Sequence, residues 1–184
     1  DLVLIETMGD LYEIKAAVLA AKENTVLPIF VSMIFDKKGT LLTGADVKTA
    51  IVTLEALGVD GIGLNCGLGP DQMLLLLQEM TEYSSTPIFI QPNAGLPVSV
   101  NGETVYNVTP EEFAEKQLKI LENGACALGG CCGTNPMHIK AMIDLCKGKE
   151  VKKITKKNYT AVSSYSKSVF FEGKPIIVGE RINP

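Results

Sequence analysis

The stretch Gly129-Gly130-Cys131-Cys132-Gly133-Thr134-Asn135-Pro136 reads as a strand end that breaks sharply into a helix. Three glycines surround two adjacent cysteines, and glycine tolerates the backbone angles a tight bend demands. Proline directly after asparagine is the pattern of a first helical turn. The same alternation repeats along the chain. Short apolar runs at 2–5, 28–33, 61–66, 87–91 and 125–129 are each followed by an amphipathic run. Helices are predicted over about 11–23, 46–57, 69–83, 109–122 and 135–147. Thr43 or Asp46 caps the second, Gly69-Pro70 opens the third, and Thr109-Pro110-Glu111-Glu112 is a capping box. Residues 92–108 read as a long loop. Five consecutive βα units mean an α/β fold with a parallel sheet covered by helices. Their length suits either a doubly wound sheet or a (βα)8 TIM barrel. No Gly-x-Gly-x-x-Gly follows the first strand, which weighs against dinucleotide binding.

The bulk properties narrow the function classes. The 184 residues suit about one domain. With 17 basic and 21 acidic residues the net charge is −4, so the chain lacks the basic footprint of a nucleic-acid or anionic-membrane binder. No apolar run approaches the roughly 20 residues of a membrane span. The opening Asp1-Leu2-Val3 has no basic region of a signal peptide. A start already inside a strand-like run is expected of a piece of a longer protein. Residues 149–172 are first lysine-rich and then serine-rich, and read as a solvated linker or strap. The run Lys174-Pro175-Ile176-Ile177-Val178 reads as the first strand of another domain, 173–184.

The five cysteines are Cys66, Cys126, Cys131, Cys132 and Cys146. An odd count at this density argues against a disulfide framework and for a reducing cytoplasmic setting. In a βα barrel the strand C-termini form the active face. The strand-end residues here are Glu6, Ser32, Cys66, Asn93 and the Cys131-Cys132 pair, which a barrel would gather around one mouth. Thiolates suit zinc, and catalytic zinc takes three protein ligands and keeps one position open. Cys66, Cys131 and Cys132 supply three thiolates, and the helix starting near Asn135 partly offsets their charge. Packing remains the competing reading, because buried cysteine is a small hydrophobe and no C-x-x-C is present. Cys126 and Cys146 read as packing residues. His138, one turn into the last helix, reads as solvent-facing or capping.

The run Gly129-Gly130-Cys131-Cys132-Gly133-Thr134-x-Pro136-x-His138-Ile139 closely resembles the final strand motif of the homocysteine S-methyltransferase family. Ile5-Glu6-Thr7, Leu64-Asn65-Cys66 and Gln91-Pro92-Asn93-Ala94-Gly95 resemble its other strand-end motifs, in order, over residues 1–148. Val178-Gly179-Glu180-Arg181-Ile182-Asn183-Pro184 resembles the opening of a methyltetrahydrofolate (pterin-binding) domain. That tandem is similar to the layout of the cobalamin-dependent methionine synthases.

The resemblance implies a (βα)8 barrel of which this chain carries the fourth to the eighth units. The N-terminal units, and pterin- and cobalamin-binding domains, would lie elsewhere in the same protein. It also implies a zinc held by Cys66, Cys131 and Cys132. Homocysteine, whose thiol is mostly protonated at neutral pH, would be activated there as a thiolate and methylated to methionine. Glu6 is the candidate for the substrate ammonium. Asn93 is a candidate for the fourth metal position or a substrate contact, with turn formation as its other reading. Ser32 is a further pocket candidate. The tail favours methylcobalamin, recharged by methyltetrahydrofolate, as methyl donor over betaine or S-methylmethionine. Two other readings are a structural-zinc module without turnover and a phosphate-binding barrel with packing cysteines.

Overall fold

The computed structural model describes residues 1–171, 173 and 175. The chain alternates β1 (Val3–Met8), α1 (Leu11–Asn24), β2 (Ile29–Met33), α2 (Val47–Ala56), β3 (Gly61–Asn65), α3 (Pro70–Tyr83) and β4 (Ile88–Gln91). There follow a hairpin, β5 (Val98–Val100) and β6 (Glu103–Val105), then α4 (Pro110–Glu122), β7 (Ala127–Leu128) and α5 (Pro136–Cys146). A second hairpin, β8 (Thr160–Ser163) and β9 (Ser168–Phe171), ends the described chain.

The helix starts are set by side chains that satisfy free backbone N–H groups. Asp10 accepts from the N–H of Tyr12 and Glu13, Asp46 from Thr49, and Asn135 from Met137 and His138. Thr109 and Glu112 form the expected reciprocal box. At Gly69, which has no side chain, Gln72 accepts the backbone N–H instead.

The main sheet has the order β1-β2-β3-β4-β7, every neighbouring pair parallel. The order never reverses. Right-handed crossovers in an unreversed order put every helix on the same face. A doubly wound sheet, which reverses at a switch point, is thereby excluded, and the arrangement is that of a stretch of a βα barrel. α2 packs on α3, α3 on α4 and α4 on α5.

Strand residues alternate between two faces. On the helix-covered face Val31, Met33, Ile62, Leu64, Ile88 and Ile90 are at most 1% exposed and join the helices' Leu11, Ile14, Ile51, Leu54 and Leu77 in one core. The other face carries Leu4, Phe30 and Phe89. There β3 gives up its side chains. A Cβ on Gly61 would stand 2.6 Å from the Phe30 ring, and one on Gly63 2.6 Å from the Phe89 ring. The two rings, 5.5 Å apart, occupy that space.

Three segments differ from the sequence reading. The fifth strand is Ala127–Leu128 alone, because the glycines around it give little to pack. The loop 92–108 contains the β5–β6 hairpin, turned by Asn101 (φ 53°) and Gly102 (φ 84°), the left-handed pair of a type I′ turn. The segment read as a solvated linker or strap is partly docked. The Phe170 ring lies against Tyr83 and Tyr159, the Tyr159 hydroxyl donates to the Tyr83 carbonyl (2.9 Å), and Tyr165 stacks on Tyr12 at 4.2 Å. The tail read as the start of a further domain lies outside the described residues, apart from Gly173 and Pro175.

Candidate metal centre

The sulfurs of Cys66, Cys131 and Cys132 lie within 4.8 Å of one another, and Cys66 Sγ is 3.6 Å from Cys132 Sγ. A tetrahedral zinc with sulfurs at about 2.3 Å would space them roughly 3.8 Å apart, so the donor set fits the ion. Among the described residues no other group of three His, Cys, Asp or Glu side chains converges this way. Cys66 and Cys131 are half-buried and Cys132 is exposed. Burial, helped by hydrogen bonding to Cys132 and by neighbouring Cys131, pushes the Cys66 thiol up to about 11. Three thiolates at this spacing therefore need a cation among them.

The backbone presents the sulfurs by leaving regular structure at each strand end. Cys66 (φ 57°) and Gly67 (φ 71°) both adopt left-handed conformations at the end of β3. That conformation is costly for a cysteine. It is held by the Cys66 N–H donating to the Gln91 carbonyl (3.2 Å) and the Leu68 N–H to the Cys66 carbonyl (2.8 Å). After β7, the Cys131 N–H donates to the Pro92 carbonyl (2.9 Å), and the Ala94 N–H to the Cys132 carbonyl (2.9 Å). Gly133 (φ 78°) then turns the chain toward α5.

The other strand-end residues fall into two groups. Asn93, 2% exposed, accepts the Cys132 N–H at 3.0 Å through Oδ1, so its side chain fixes the cysteine pair directly. Glu6 is exposed on the open side of β1, where its Oε1 accepts from Gln91 Nε2 (3.1 Å). Ser32 is fully buried, and its hydroxyl donates to Asn65 Oδ1 (2.8 Å).

Asn65 is the residue that sequence reading missed. It is 1% exposed and ties three strand ends together. Its Oδ1 accepts from Ser32 and from the Thr7 N–H (3.1 Å); its Nδ2 donates to Thr7 Oγ1 (2.6 Å) and toward Cys131 Sγ (3.9 Å). These bonds hold Thr7 at φ 62°, an outlying angle for a β-branched residue. There the β1–β2 register slips, and the bulge leaves both Glu6 and Thr7 exposed. Beside Thr7 and Gly67 a cleft of about 940 Å³ opens between the β1–α1 and β2–α2 connections.

His138 is not solvent-facing. It is 6% exposed. The capping part of the expectation holds, since Nδ1 lies 3.3 Å from the Asn135 N–H it accepts, but Nε2 also reaches the Val108 carbonyl at 3.0 Å. Cys126 and Cys146 are half-buried and stand apart from the triad.

No helix among the described residues is long and apolar enough to cross a membrane. The structure is similar to that of the homocysteine methyltransferase MmuM from Escherichia coli. The apo form gives a TM-score of 0.64 at 22% identity over 79% of this chain and 49% of that one. The metallated form gives 0.63 at 23% over 77% and 44%. At such identities the likeness speaks for the fold. In sequence the chain is 37% identical to a methionine synthase of Mycobacterium leprae and 34% identical to one of Mycobacterium tuberculosis, in each case over all of this chain. It spans only 16% of either relative. The family model for homocysteine S-methyltransferases matches residues 1–146. A match of that extent, together with relatives that agree along the whole chain, places this protein in the homocysteine S-methyltransferase family.

Proposed function

We propose that this chain is the thiol-activating part of a methyltransferase that converts homocysteine to methionine, using a zinc held by Cys66, Cys131 and Cys132. The observation that carries the reading is the convergence of three cysteine sulfurs at two strand ends, one of them exposed. Bound there, zinc would supply Lewis acidity, lowering the pKa of a thiol so that homocysteine is present as its nucleophilic thiolate.

The chain's own residues then divide the work. The three thiolates select a thiophilic metal and keep it electron-rich. Glu6, exposed on the open side with its carboxylate set by Gln91, holds the substrate ammonium by charge-assisted hydrogen bonds. Asn93 fixes the cysteine pair and is the candidate for the fourth metal position before substrate arrives. Ser32 acts through Asn65 on the shape of the pocket. The methyl donor is methylcobalamin, recharged by methyltetrahydrofolate on other domains. This is supported by relatives named methionine synthase, of which the chain spans a small part.

We assign the five strands to the fourth to eighth of a (βα)8 barrel. Leu4, 43% exposed on the helix-free face, and the single partners of β1 and β7 support this. Earlier βα units of the same protein would cover that face and both edges. A reducing cytoplasm suits three free thiols.

X-ray absorption of the zinc-loaded full-length protein tests the core of the reading. Adding homocysteine is expected to bring one further sulfur to the metal; an unchanged shell would overturn it. Because Cys66 stays protonated well below pH 11, zinc must displace its proton. Apparent zinc affinity should therefore rise at least about tenfold per pH unit between pH 6 and 8, measured by chelator competition.

A further inference from the structure

We propose that Asn65 is a positioning residue for substrate selection: by gripping Thr7 in a left-handed bulge it fixes where β1 presents the Glu6 carboxylate, and so favours thiols that carry an ammonium group. This deepens the role proposed above for Glu6, on which it rests.

Along β1 the residues that pack against the core are Val3, Ile5 and Met8. A regular strand changes face at every residue, so Ile5 and Met8 share the core side only if one residue is inserted between them. The pairing with β2 has that insertion. Ile5 lies opposite Val31 and Met8 opposite Met33, so Glu6 and Thr7 together oppose Ser32 alone. The inserted residue loses its place in the ladder. Its N–H is taken by Asn65 Oδ1 at 3.1 Å, with the Ser32 hydroxyl oxygen further off at 3.4 Å. Asn65 stands on β3, with β2 between it and β1. Its amide reaches across because β2 carries only a serine there, itself donating to Oδ1 at 2.8 Å.

A backbone N–H can only donate, so the Thr7 N–H fixes which end of the amide is oxygen. Nδ2 is thereby turned to give one hydrogen to Thr7 Oγ1 at 2.6 Å and the other toward Cys131 Sγ at 3.9 Å. The amide is fully used, and at 1% exposure water does not compete for it. A β-branched residue stays at φ 62° only where its surroundings over-determine it, and here two bonds from one side chain do so. Glu6 precedes Thr7 in the same bulge, its Oε1 accepting from Gln91 Nε2 at 3.1 Å. Freed of Asn65, Thr7 relaxes to the extended angles it prefers, and the peptide joining it to Glu6 turns with it.

Zinc-loaded full-length protein is titrated with homocysteine and with 4-mercaptobutanoate, which keeps the thiol and the carboxylate and lacks the ammonium. Wild type is expected to bind homocysteine about tenfold more tightly than the analogue, and Glu6→Gln to erase that preference. Asn65→Ala should also erase it, with Glu6 itself untouched. Thr7→Val is an exposed change that removes the Oγ1 acceptor and leaves the core and the cysteines in place. It should weaken the preference about threefold at unchanged zinc affinity, and it decides the matter alone if Asn65→Ala does not fold. Variants at both positions that keep the wild-type preference, whether or not overall affinity falls, would overturn the role of Asn65 while leaving Glu6 and the zinc site standing. Wild-type protein that binds both thiols alike would overturn the ammonium role of Glu6 and this proposal with it.

Discussion

The two faces of the main sheet are built by the same strands and differ in almost every respect. On the helix-covered face the central strands β2, β3 and β4 form a layer of Val, Ile, Leu and Met at most 2% exposed, flanked by the half-buried Val3, Ile5 and Leu128 of the edge strands. The other face is apolar only in its lower part, where Phe30 and Phe89 cover Gly61 and Gly63, and leaves Leu4 43% exposed. Toward the strand ends it turns polar, with Glu6 and Gln91 paired and Ser32, Asn65 and Thr7 networked. Alternation of period two separates stability from chemistry one residue at a time: Ile62 and Leu64 face the helices, Gly63 lies under Phe89 on the open face, and Asn65 reaches the site.

If that separation is real, two substitutions only a few residues apart should have opposite signatures. Cys66→Ala should abolish tight metal binding, a loss of more than about 100-fold, with little change in folding stability, because its sulfur fills no core space. Ile62→Ala should cost about 2–5 kcal/mol in chemical denaturation while the folded fraction still binds one metal per chain. A Cys66→Ala protein as unstable as Ile62→Ala would erase the distinction between the faces.

Gly63→Ala probes the apolar part of the open face. The new Cβ would meet both the Phe89 ring and the Phe89 carbonyl oxygen at 2.6 Å. The ring could swing aside but the backbone could not, so the strands β3 and β4 must spread. Overpacking of this kind costs about 1–3 kcal/mol, read as a lower denaturation midpoint. A neutral result would mean that the open face is loosely packed throughout.

The elements that local patterning controls were legible in the sequence, and so were the cysteine cluster, the capping box at Thr109, the start of the last helix near Asn135 and, as one of two candidates with Thr43, the cap at Asp46. Cys66 and the cysteine pair could be read because each ends an apolar run in a glycine turn. Asn65 could not, because its importance lies in Thr7, a residue far away in sequence that adopts a backbone angle its side chain disfavours. His138 looked exposed because the carbonyl it meets belongs to Val108, in a connection whose path depends on the β5–β6 turn. That turn was itself readable: Asn101-Gly102 between Val-Ser-Val and Glu-Thr-Val is a strong hairpin signal. The docked hairpin β8–β9 was masked by lysines and serines, though Tyr159, Tyr165 and Phe170 among them marked a buried side.

The smallest effect is expected where the two faces meet at the rim. Tyr165, between β8 and β9, donates to Asp10 Oδ2 (2.8 Å), and Asp10 caps α1 just beyond the Thr7 bulge. This bond is the first cause holding the Asp10 carboxyl below its ordinary value. A carboxylate with a depressed folded pKa stabilises above the unfolded value, about 3.9, and loses that contribution as pH falls through the folded one. Tyr165→Phe keeps the stack on Tyr12 and removes the bond. Thermal melts should therefore show the variant slightly less stable than wild type at pH 7, the gap closing as the pH drops below about 4. A gap that stays undiminished through the acid end of the melts would mean that the hydroxyl's contribution does not depend on the Asp10 charge, and that the outer hairpin has no electrostatic hold on the connection that follows the Thr7 bulge.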